Sequence, residues 1–219
     1  MTTPWVVGPE PDQVITYGVH PDQLIEFYNG DGPLVTLIHG GYWRPVHTRE
    51  HMRALGAKLA TNGFKVANIE YRREAGAPDS LFDDVNKALE QLTDSVALIG
   101  FSVGGQIAMV SKSDAHKLIL LAPVSDLART KSEGLGDNAV DDFFGASDFI
   151  KYDPNQKTYD QHLYIIHGDS DQRVPLAHSR DFAKVKGASL MEITGGDHFA
   201  VIDPDGLAFD LILSTLLSK

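Results

Sequence analysis

The sequence predicts an α/β fold whose central sheet is largely parallel. Short apolar segments of strand character alternate along the chain with segments whose apolar residues recur at helical spacing, and the connections between them are short. The run from Lys117 to Ala122 is almost continuously apolar, which is typical of a strand covered on both faces. We therefore expect helices on both faces of the sheet.

The strands are predicted from runs of Val, Ile, Leu and aromatic residues that are bounded by turn-forming residues. The segments 14–17 and 24–28 flank His20-Pro21-Asp22, so we expect them to form an antiparallel pair. Further strands are expected at 34–38, 64–69, 96–99, 117–122, 163–166 and 189–194.

Helices are expected between and after these strands. The first carries apolar residues at helical spacing between Met52 and Ala60 and ends at Asn62-Gly63, a common C-terminal signal. The second is expected to begin with Ser80, an N-capping residue type, with Asp83 three positions later. The others are expected at about 105–110, after Pro175, and from about 206 to 217.

The 219 residues fit a single domain with one cap-like insertion, predicted at about 125–161. Glycines such as Gly134 and Gly136 interrupt the alternation there, so we expect an irregular segment. The same segment contains Phe143 and Phe144 among several aromatic residues, whereas disordered segments are poor in aromatics. We therefore interpret it as a small ordered cap.

Composition and charge argue against several classes of function. With 19 Lys and Arg against 30 Asp and Glu, the chain has a net charge of −11, which disfavours nucleic acids and anionic membranes as partners. No apolar run approaches the roughly 20 residues of a spanning helix, and the first residues do not resemble a signal peptide. The absence of cysteine excludes disulfides and thiolate metal sites. We expect a cytoplasmic protein that acts on a small molecule.

The stretch Gly100-Phe101-Ser102-Val103-Gly104 carries the strongest chemical signal. It lies between a predicted strand and a predicted helix, which is the context of a G-x-S-x-G nucleophile elbow. In such a turn glycines are needed beside the serine because side chains do not fit there. The following helix directs its N-terminus at the developing negative charge. We predict that Ser102 is a nucleophile.

A serine nucleophile needs a base, and the base needs an orienting carboxylate. In elbow-type hydrolases these follow the serine in the order acid, then histidine. Asp169 and Asp171 both follow the strand at 163–166, and either could instead be a turn or capping residue. We favour Asp171 as the acid. His198 follows the last predicted strand and two glycines, and we predict that it is the base.

Acyl transfer also needs hydrogen-bond donors for the oxyanion of the tetrahedral intermediate. The segment His39-Gly40-Gly41-Tyr42 follows the strand at 34–38, where an H-G-G motif presents backbone amides. We predict an oxyanion hole formed by the amides of Gly41, Tyr42 and Val103. His39 is expected to brace this loop.

Two other segments suggest different chemistry. The segment from His47 to His51 matches the H-x-x-E-H pattern of some zinc proteases, but Thr48 and Glu50 also suit a helix start. No third ligand is identifiable, so we expect no metal. In the segment 71–74, the arginines could contact an anionic substrate group or form a surface ion pair with Glu74, and both interpretations stay open.

On these residues the chain resembles the α/β-hydrolase superfamily over nearly its whole length. The segment His39-Gly40-Gly41-Tyr42-Trp43 looks like the H-G-G-Y-W signature of the kynurenine formamidase (arylformamidase) group, a motif shared with general carboxylesterases. The segment from His167 to Pro175 is similar to the H-G-x-x-D-x-x-V-P pattern of these families, which makes Asp171 the triad acid. His198-Phe199 similarly looks like their D-H-F ending.

The resemblance implies a serine hydrolase without a metal or organic cofactor that cleaves an aryl formamide such as N-formylkynurenine. The aromatic residues Trp43, Phe143 and Phe144 would then bind the aryl leaving group. A general short-chain carboxylesterase is the alternative within the same chemistry. A catalytically silent hydrolase-like binding protein is the alternative outside it.

Overall fold

The computed structural model describes residues 5–218, and these form one eight-stranded sheet in the order β1-β2-β4-β3-β5-β6-β7-β8. The strands are β1 (Gln13–Thr16), β2 (Leu24–Tyr28), β3 (Leu34–Ile38), β4 (Lys65–Ile69), β5 (Ser95–Phe101), β6 (Lys117–Leu121), β7 (His162–Gly168) and β8 (Ser189–Ile193). The β1–β2 and β2–β4 pairs are antiparallel, and every pair from β4 onward in this order is parallel. The predicted N-terminal antiparallel pair and the largely parallel sheet are both confirmed.

Seven helices accompany the sheet within the described residues. They are α1 (Arg53–Thr61), α2 (Pro78–Leu89), α3 (Val103–Val110), α4 (Leu127–Ser132), α5 (Leu135–Phe144), α6 (Leu176–Lys186) and α7 (Leu207–Leu217). Single 3-10 turns occupy Arg49–Met52, Phe149–Tyr152 and Pro154–Gln156. Within residues 5–218, no helix combines the length and apolar character that a membrane crossing requires.

The hydrophobic core lies in two layers, one on each face of the sheet. Neighbouring residues on a strand alternate between the layers, so Leu37 packs in one and Ile38 in the other. The first layer contains apolar residues of α1 and α7, and the second contains those of α2, α3 and α6. The helices on both faces are therefore as predicted, and the chain has the α/β-hydrolase fold.

The strand register brings the ends of β3, β5, β7 and β8 to one edge of the sheet. Ile38 at the end of β3 lies beside Gly100 of β5, and Gly168 at the end of β7 lies beside Ile193 of β8. In open α/β sheets ligands bind outside this carboxyl edge. The loops that carry the predicted functional residues therefore emerge side by side.

The start of α2 differs from the sequence expectation. The helix begins at Pro78, so Ser80 lies inside its first turn and donates its hydroxyl hydrogen to the carbonyl oxygen of Ala77 at 2.8 Å. Proline suits the first helical position because it has no N–H to satisfy and its φ is already helical. The prediction of a cap at Ser80 is therefore wrong.

The segment 125–161 connects β6 to β7 and is more helical than its sequence indicates. It contains α4, α5 and two 3-10 turns. The first turn of α5 departs from helical geometry, because Gly136, Asp137 and Asn138 have φ values of 65°, 58° and 61°. These left-handed residues explain why no regular periodicity was detectable.

Candidate active site

Ser102 occupies a strained turn between β5 and α3. Its φ of 55° and ψ of −120° lie in a region that non-glycine residues rarely adopt. A Cβ on Gly104 would lie 2.1 Å from the carbonyl oxygen of Ile38, and one on Gly100 would lie 2.4 Å from that of Gly104. Only glycine fits at both positions, which is the geometry expected of a nucleophile elbow.

Asp171 and His198 meet in the loops that follow β7 and β8. The Nδ1–H of His198 donates to Oδ2 of Asp171 at 2.6 Å. Asp169, the other sequence candidate, accepts instead from the backbone N–H of Gly195 at 2.7 Å and from the hydroxyl of Ser170 at 3.0 Å. Of the two carboxylates, the structure brings Asp171 to the histidine and uses Asp169 to shape the turn.

The Asp171 carboxylate is buried and accepts several hydrogen bonds. Its Oδ1 accepts from the backbone N–H groups of Arg173 at 2.7 Å and Val174 at 2.9 Å. Burial by itself raises the pKa of this carboxyl, but the hydrogen bonds from His167 and His198 outweigh it and hold the pKa of Asp171 below its ordinary value. The carboxylate therefore stays ionised beside His198.

His167 is a second imidazole on the same carboxylate, and sequence reasoning assigned it no role. Its Nε2 lies 3.1 Å from Oδ2 of Asp171 and 3.0 Å from the carbonyl oxygen of Val174. A carbonyl only accepts, so Nε2 carries the hydrogen and Nδ1 accepts from the Ser179 hydroxyl at 2.8 Å. The H-G-x-x-D-x-x-V-P pattern from His167 to Pro175 includes this histidine, but the pattern did not indicate that His167 would contact Asp171.

Ser102 and His198 line one open cavity of about 420 Å³ at the carboxyl edge of the sheet. Phe101 packs against the imidazole of His198, with the ring centroids 4.9 Å apart. The other walls of this cavity come from three loops and the segment 125–161, which we predicted to be a cap, and they include Gly41, Tyr42, Arg44, His47, Gly136 and Arg173.

The loop after β3 contains three consecutive residues with positive φ. Gly41, Tyr42 and Trp43 have φ values of 118°, 48° and 57°. A Cβ on Gly40 would lie 2.8 Å from Cβ of Ser102, so the loop passes directly against the elbow. Gly41 and Tyr42 line the cavity, and Val103 is the first residue of α3, where a backbone N–H has no helical acceptor.

A sequence-family model covers the elbow and the loop after β3. Residues 26–164, more than half of the chain, match the sequence model of the BD-FAE family. The chain belongs to the BD-FAE family. The matched segment includes Ser102 and the loop from His39 to Trp43, while Asp171 and His198 lie after it.

Solved structures share the fold of this BD-FAE protein over almost its whole length. A truncated carbohydrate esterase from gut microbiota aligns with a TM-score of 0.79 and 17% identity, over 95% of this chain and 98% of that one. Esterase 2 of Thermogutta terrifontis, phosphonylated by sarin, aligns with a TM-score of 0.74 and 19% identity, over 94% of each chain. Esterase B of Lactobacillus rhamnosis, inhibited by a tributyrin phosphonate, aligns with a TM-score of 0.71 and 18% identity, over 95% of this chain and 87% of that one. No curated protein matches the chain in sequence.

In this BD-FAE protein His39 braces the loop after β3, as the sequence suggested. Its Nε2 lies 2.9 Å from Oε1 of Glu70, and its backbone carbonyl accepts from the Tyr71 hydroxyl at 2.7 Å. Burial alone raises the pKa of Glu70, but His39 and Arg73 outweigh it and lower that pKa. A buried cluster formed by His39, Glu70 and Arg73 therefore holds this loop in place.

The two arginines that follow β4 serve structural roles. Arg72 forms two side-chain hydrogen bonds of 2.7 Å to the buried carboxylate of Asp84 in α2, and Arg73 pairs with Glu70. Neither Arg72 nor Arg73 lines the cavity, and neither pairs with Glu74. Both interpretations left open by the sequence are wrong, because Asp84 and Glu70 bind these arginines inside the fold.

The aromatic residues predicted to contact substrate are buried away from the cavity. Trp43 is 2% exposed, and its ring stacks on Phe143 with centroids 5.5 Å apart and contacts Phe144 edge-on at 5.3 Å. Phe143 and Phe144 are 3% and 1% exposed. These side chains pack the segment 125–161 against the loop after β3, and none of the three lines the cavity, so direct substrate contact by them stays a prediction.

His47 and His51 lie beside this loop. Their ring centroids are 5.1 Å apart, and both line the cavity. Burial, with His39 and His47 nearby, lowers the pKa of His51 to about 3. Within residues 5–218 no group of three or more His, Cys, Asp or Glu is arranged to hold a metal ion. The H-x-x-E-H match lies at a helix start, where the Thr48 hydroxyl oxygen accepts from the backbone N–H of Glu50, and Glu50 is exposed.

Proposed function

We propose that this protein is a serine hydrolase that cleaves a small carboxylic ester through an acyl-enzyme. One observation carries the proposal. Ser102, at a strained elbow, lines the same cavity as His198, whose Nδ1–H is held by the ionised carboxylate of Asp171 at 2.6 Å. An elbow serine and an acid-bound histidine on one cavity are the parts that an acyl-transfer mechanism requires.

The reaction follows from the roles of these atoms. Because Nδ1 of His198 carries the hydrogen bonded to Asp171, its Nε2 is the free base that takes the hydroxyl proton of Ser102. Oγ then forms a bond to the ester carbonyl carbon, and the negative charge moves to the carbonyl oxygen. His198 next gives the proton to the leaving alcohol as the carbon–oxygen bond breaks. Water attacks the acyl-enzyme with the same proton transfers and releases the acid.

The oxyanion would lie between the loop after β3 and the start of α3. The backbone amides of Gly41, Tyr42 and Val103 are the donors we assign to it. Positive φ at Gly41 and Tyr42 turns this loop against the elbow, and Val103 begins a helix whose dipole favours negative charge. Donors fixed before the reaction stabilise developing charge without reorganisation.

The family and the structural neighbours support ester chemistry. The neighbours include a carbohydrate esterase, and two of the compared esterases carry phosphonate or phosphonyl groups. Trp43, Phe143 and Phe144, which would have bound an aryl leaving group, are buried. We therefore place an ester first. An aryl formamide is the second candidate because the segment from His39 to Trp43 has the H-G-G-Y-W sequence.

The test combines labelling with kinetics. A fluorescent alkyl phosphonate should label the wild type at Ser102 and leave Ser102→Ala unlabelled, with the modified peptide identified by mass spectrometry. Values of kcat/KM for p-nitrophenyl acetate and butyrate are then compared with that for N-formylkynurenine. Efficient ester turnover with negligible formamide cleavage supports the esterase, and the reverse result supports the formamidase. A folded protein that is neither labelled nor active would be a silent binding protein.

A further inference from the structure

We propose that Arg173 forms an anion subsite in the cavity and that the substrate is an ester bearing a carboxylate. This inference rests on the proposed function, because it names the class of ester that the same site accepts. It starts from a charged side chain that has no acidic partner among residues 5–218.

The chain contains eight arginines, and all of them lie within the described residues. Seven form ion pairs with carboxylates: Arg44, Arg49, Arg53, Arg72, Arg73, Arg129 and Arg180. Within residues 5–218 Arg173 has no carboxylate within ion-pair distance, although the chain has 30 acidic residues. In the described part of the chain, the one arginine without an acidic partner therefore lies in the candidate active site.

The backbone of Arg173 is held by the site itself. Its N–H donates to Oδ1 of Asp171 at 2.7 Å, and its carbonyl oxygen accepts from the Tyr42 hydroxyl at 2.7 Å. One residue thereby connects the loop of the triad acid to the loop assigned to the oxyanion. Arg173 is itself exposed, but these two hydrogen bonds fix its backbone at the wall of the cavity.

The side chain lies on the His198 side of the cavity. The guanidinium carbon of Arg173 is 5.0 Å from the ring centroid of Phe199, the residue after His198. Stacking on an aromatic ring occupies the face of a guanidinium and leaves its edge N–H groups for an oxygen acceptor. His198 protonates the leaving group, so a carboxylate bound here belongs most simply to the alcohol portion of the ester.

Among the charged side chains that line the cavity, Arg173 is the cation that remains available to bind an anion. Arg44 also lines the cavity, but it is paired with Asp142 at 3.2 Å and donates to the carbonyl oxygen of Gly136 at 2.8 Å. Asp137 is exposed on the cap at the cavity wall, and its carboxylate forms no ion pair with Arg173. Burial lowers the pKa of His47, as do His39 and Arg173, so His47 is not a competing cation at neutral pH.

The kinetic test uses two esters with the same acetyl group, 4-acetoxybenzoate and its methyl ester. Arg173→Gln should lower kcat/KM for the anionic ester at least tenfold and change that for the methyl ester less than twofold. Arg180→Gln removes an exposed arginine paired with Glu192 outside the cavity, and it should change neither value. Equal effects of Arg173→Gln on both esters would overturn the proposal.

A second pair of esters tests whether the carboxylate belongs to the acyl portion or to the alcohol portion of the substrate. Ethyl hydrogen adipate carries the charge on its acyl portion, and ethyl hexanoate is its neutral partner. A selective loss for 4-acetoxybenzoate places the anion on the leaving group, as the position of Phe199 indicates. A selective loss confined to the adipate still supports the carboxylate site but places it on the acyl side.

Binding to the Ser102→Ala variant tests the subsite without turnover. Calorimetry should give at least tenfold tighter binding of 4-acetoxybenzoate than of its methyl ester, and Arg173→Gln in the same background should remove the difference. Equal affinities would rule out the subsite even if ester hydrolysis is confirmed. Preferential anion binding by a protein that phosphonates do not label would instead refute the proposed hydrolase while the subsite stands.

Discussion

His167 and His198 donate to the same oxygen atom, Oδ2 of Asp171, at 3.1 and 2.6 Å. His167 is fully buried and touches the acid rather than the cavity, so it is a positioning residue. A hydrogen bond to a charged group contributes about 1.5–3 kcal/mol, and each 1.4 kcal/mol corresponds to a tenfold change in rate. The orientation of Asp171, and through it that of His198, therefore depends on this second imidazole.

We predict that His167→Gln lowers kcat/KM for an ester by about ten- to a hundredfold, in line with the loss of a charge-assisted hydrogen bond. The pH profile of kcat/KM should shift as well, because the carboxylate beside His198 loses a donor. Ser179→Ala, which removes only the hydroxyl bonded to the far side of His167, is the matched control. If both variants lower activity equally and leave the pH profile unchanged, His167 has only a packing role.

The strained backbone of Ser102 predicts a difference in stability between two variants that we expect to be inactive. Ser102→Ala keeps a Cβ at φ 55° and ψ −120°, whereas Ser102→Gly removes it. Strain of this kind costs roughly 1–3 kcal/mol, so Ser102→Gly should be the more stable variant by about 1 kcal/mol after the entropy of glycine is counted. Urea denaturation measures the difference. Equal midpoints would show that the elbow stores no strain, and both variants should lose activity by several orders of magnitude.

Trp43 should behave as a core residue. Its ring stacks on Phe143 and is 2% exposed, so Trp43→Ala should lower the free energy of unfolding by about 3–5 kcal/mol. Trp43→Phe keeps an aromatic ring in the same place and should cost less. Chemical denaturation and KM are measured together. An unchanged stability with a raised KM for Trp43→Ala would restore the sequence-based interpretation of this residue as a substrate contact.

His51 should make the fold sensitive to mild acid. Its pKa is lowered from about 6.5 to about 3, so between these values the unfolded chain binds a proton that the folded chain excludes. The stability that His51 contributes is complete above pH 6.5 and declines as the pH falls towards 3, by at most about 1.4 kcal/mol per pH unit. His51→Phe should therefore lose less stability than the wild type between pH 7 and 5.

The measurement for His51 is the urea midpoint at pH 7, 6 and 5, a range in which ordinary carboxylates remain ionised. His116→Gln, a substitution of an exposed histidine, is the control and should follow the wild type. Parallel pH dependence of His51→Phe and the wild type would show that another group carries the acid sensitivity.

The sheet and the proximity of the candidate site residues could be predicted because their signals are local. The alternation of strands and helices indicated the layers, and parallel strands deliver their following loops to one edge. Ser102, Asp171 and His198 each follow a strand, so their positions along the chain indicated their proximity. The glycines beside Ser102 carried a similar local signal, because their lack of a side chain is a steric requirement.

The roles that sequence reasoning missed depend on contacts between distant segments. Arg72 and Asp84 lie on either side of a turn and are joined only when α2 packs on the sheet. Trp43 and Phe143 are 100 positions apart, so their stacking could not be read from either segment. The sequence around a large aromatic residue near a catalytic motif is the same whether its side chain faces the cavity or packs behind the cavity wall. Burial decides between these roles, and burial is a property of the assembled fold.

The cap is also the crossover between two paired strands, and this limits how the protein can diverge. Its Phe144 and Tyr152 belong to the same core layer as Leu81 and Ile165, so the cap covers the sheet where a simple crossover helix would otherwise pack. Exchanging the whole segment would open the core as well as change the cavity. New substrate preferences can therefore arise most readily by point substitutions at cavity-facing positions such as Asp137, which leave the buried aromatic residues of this segment unchanged.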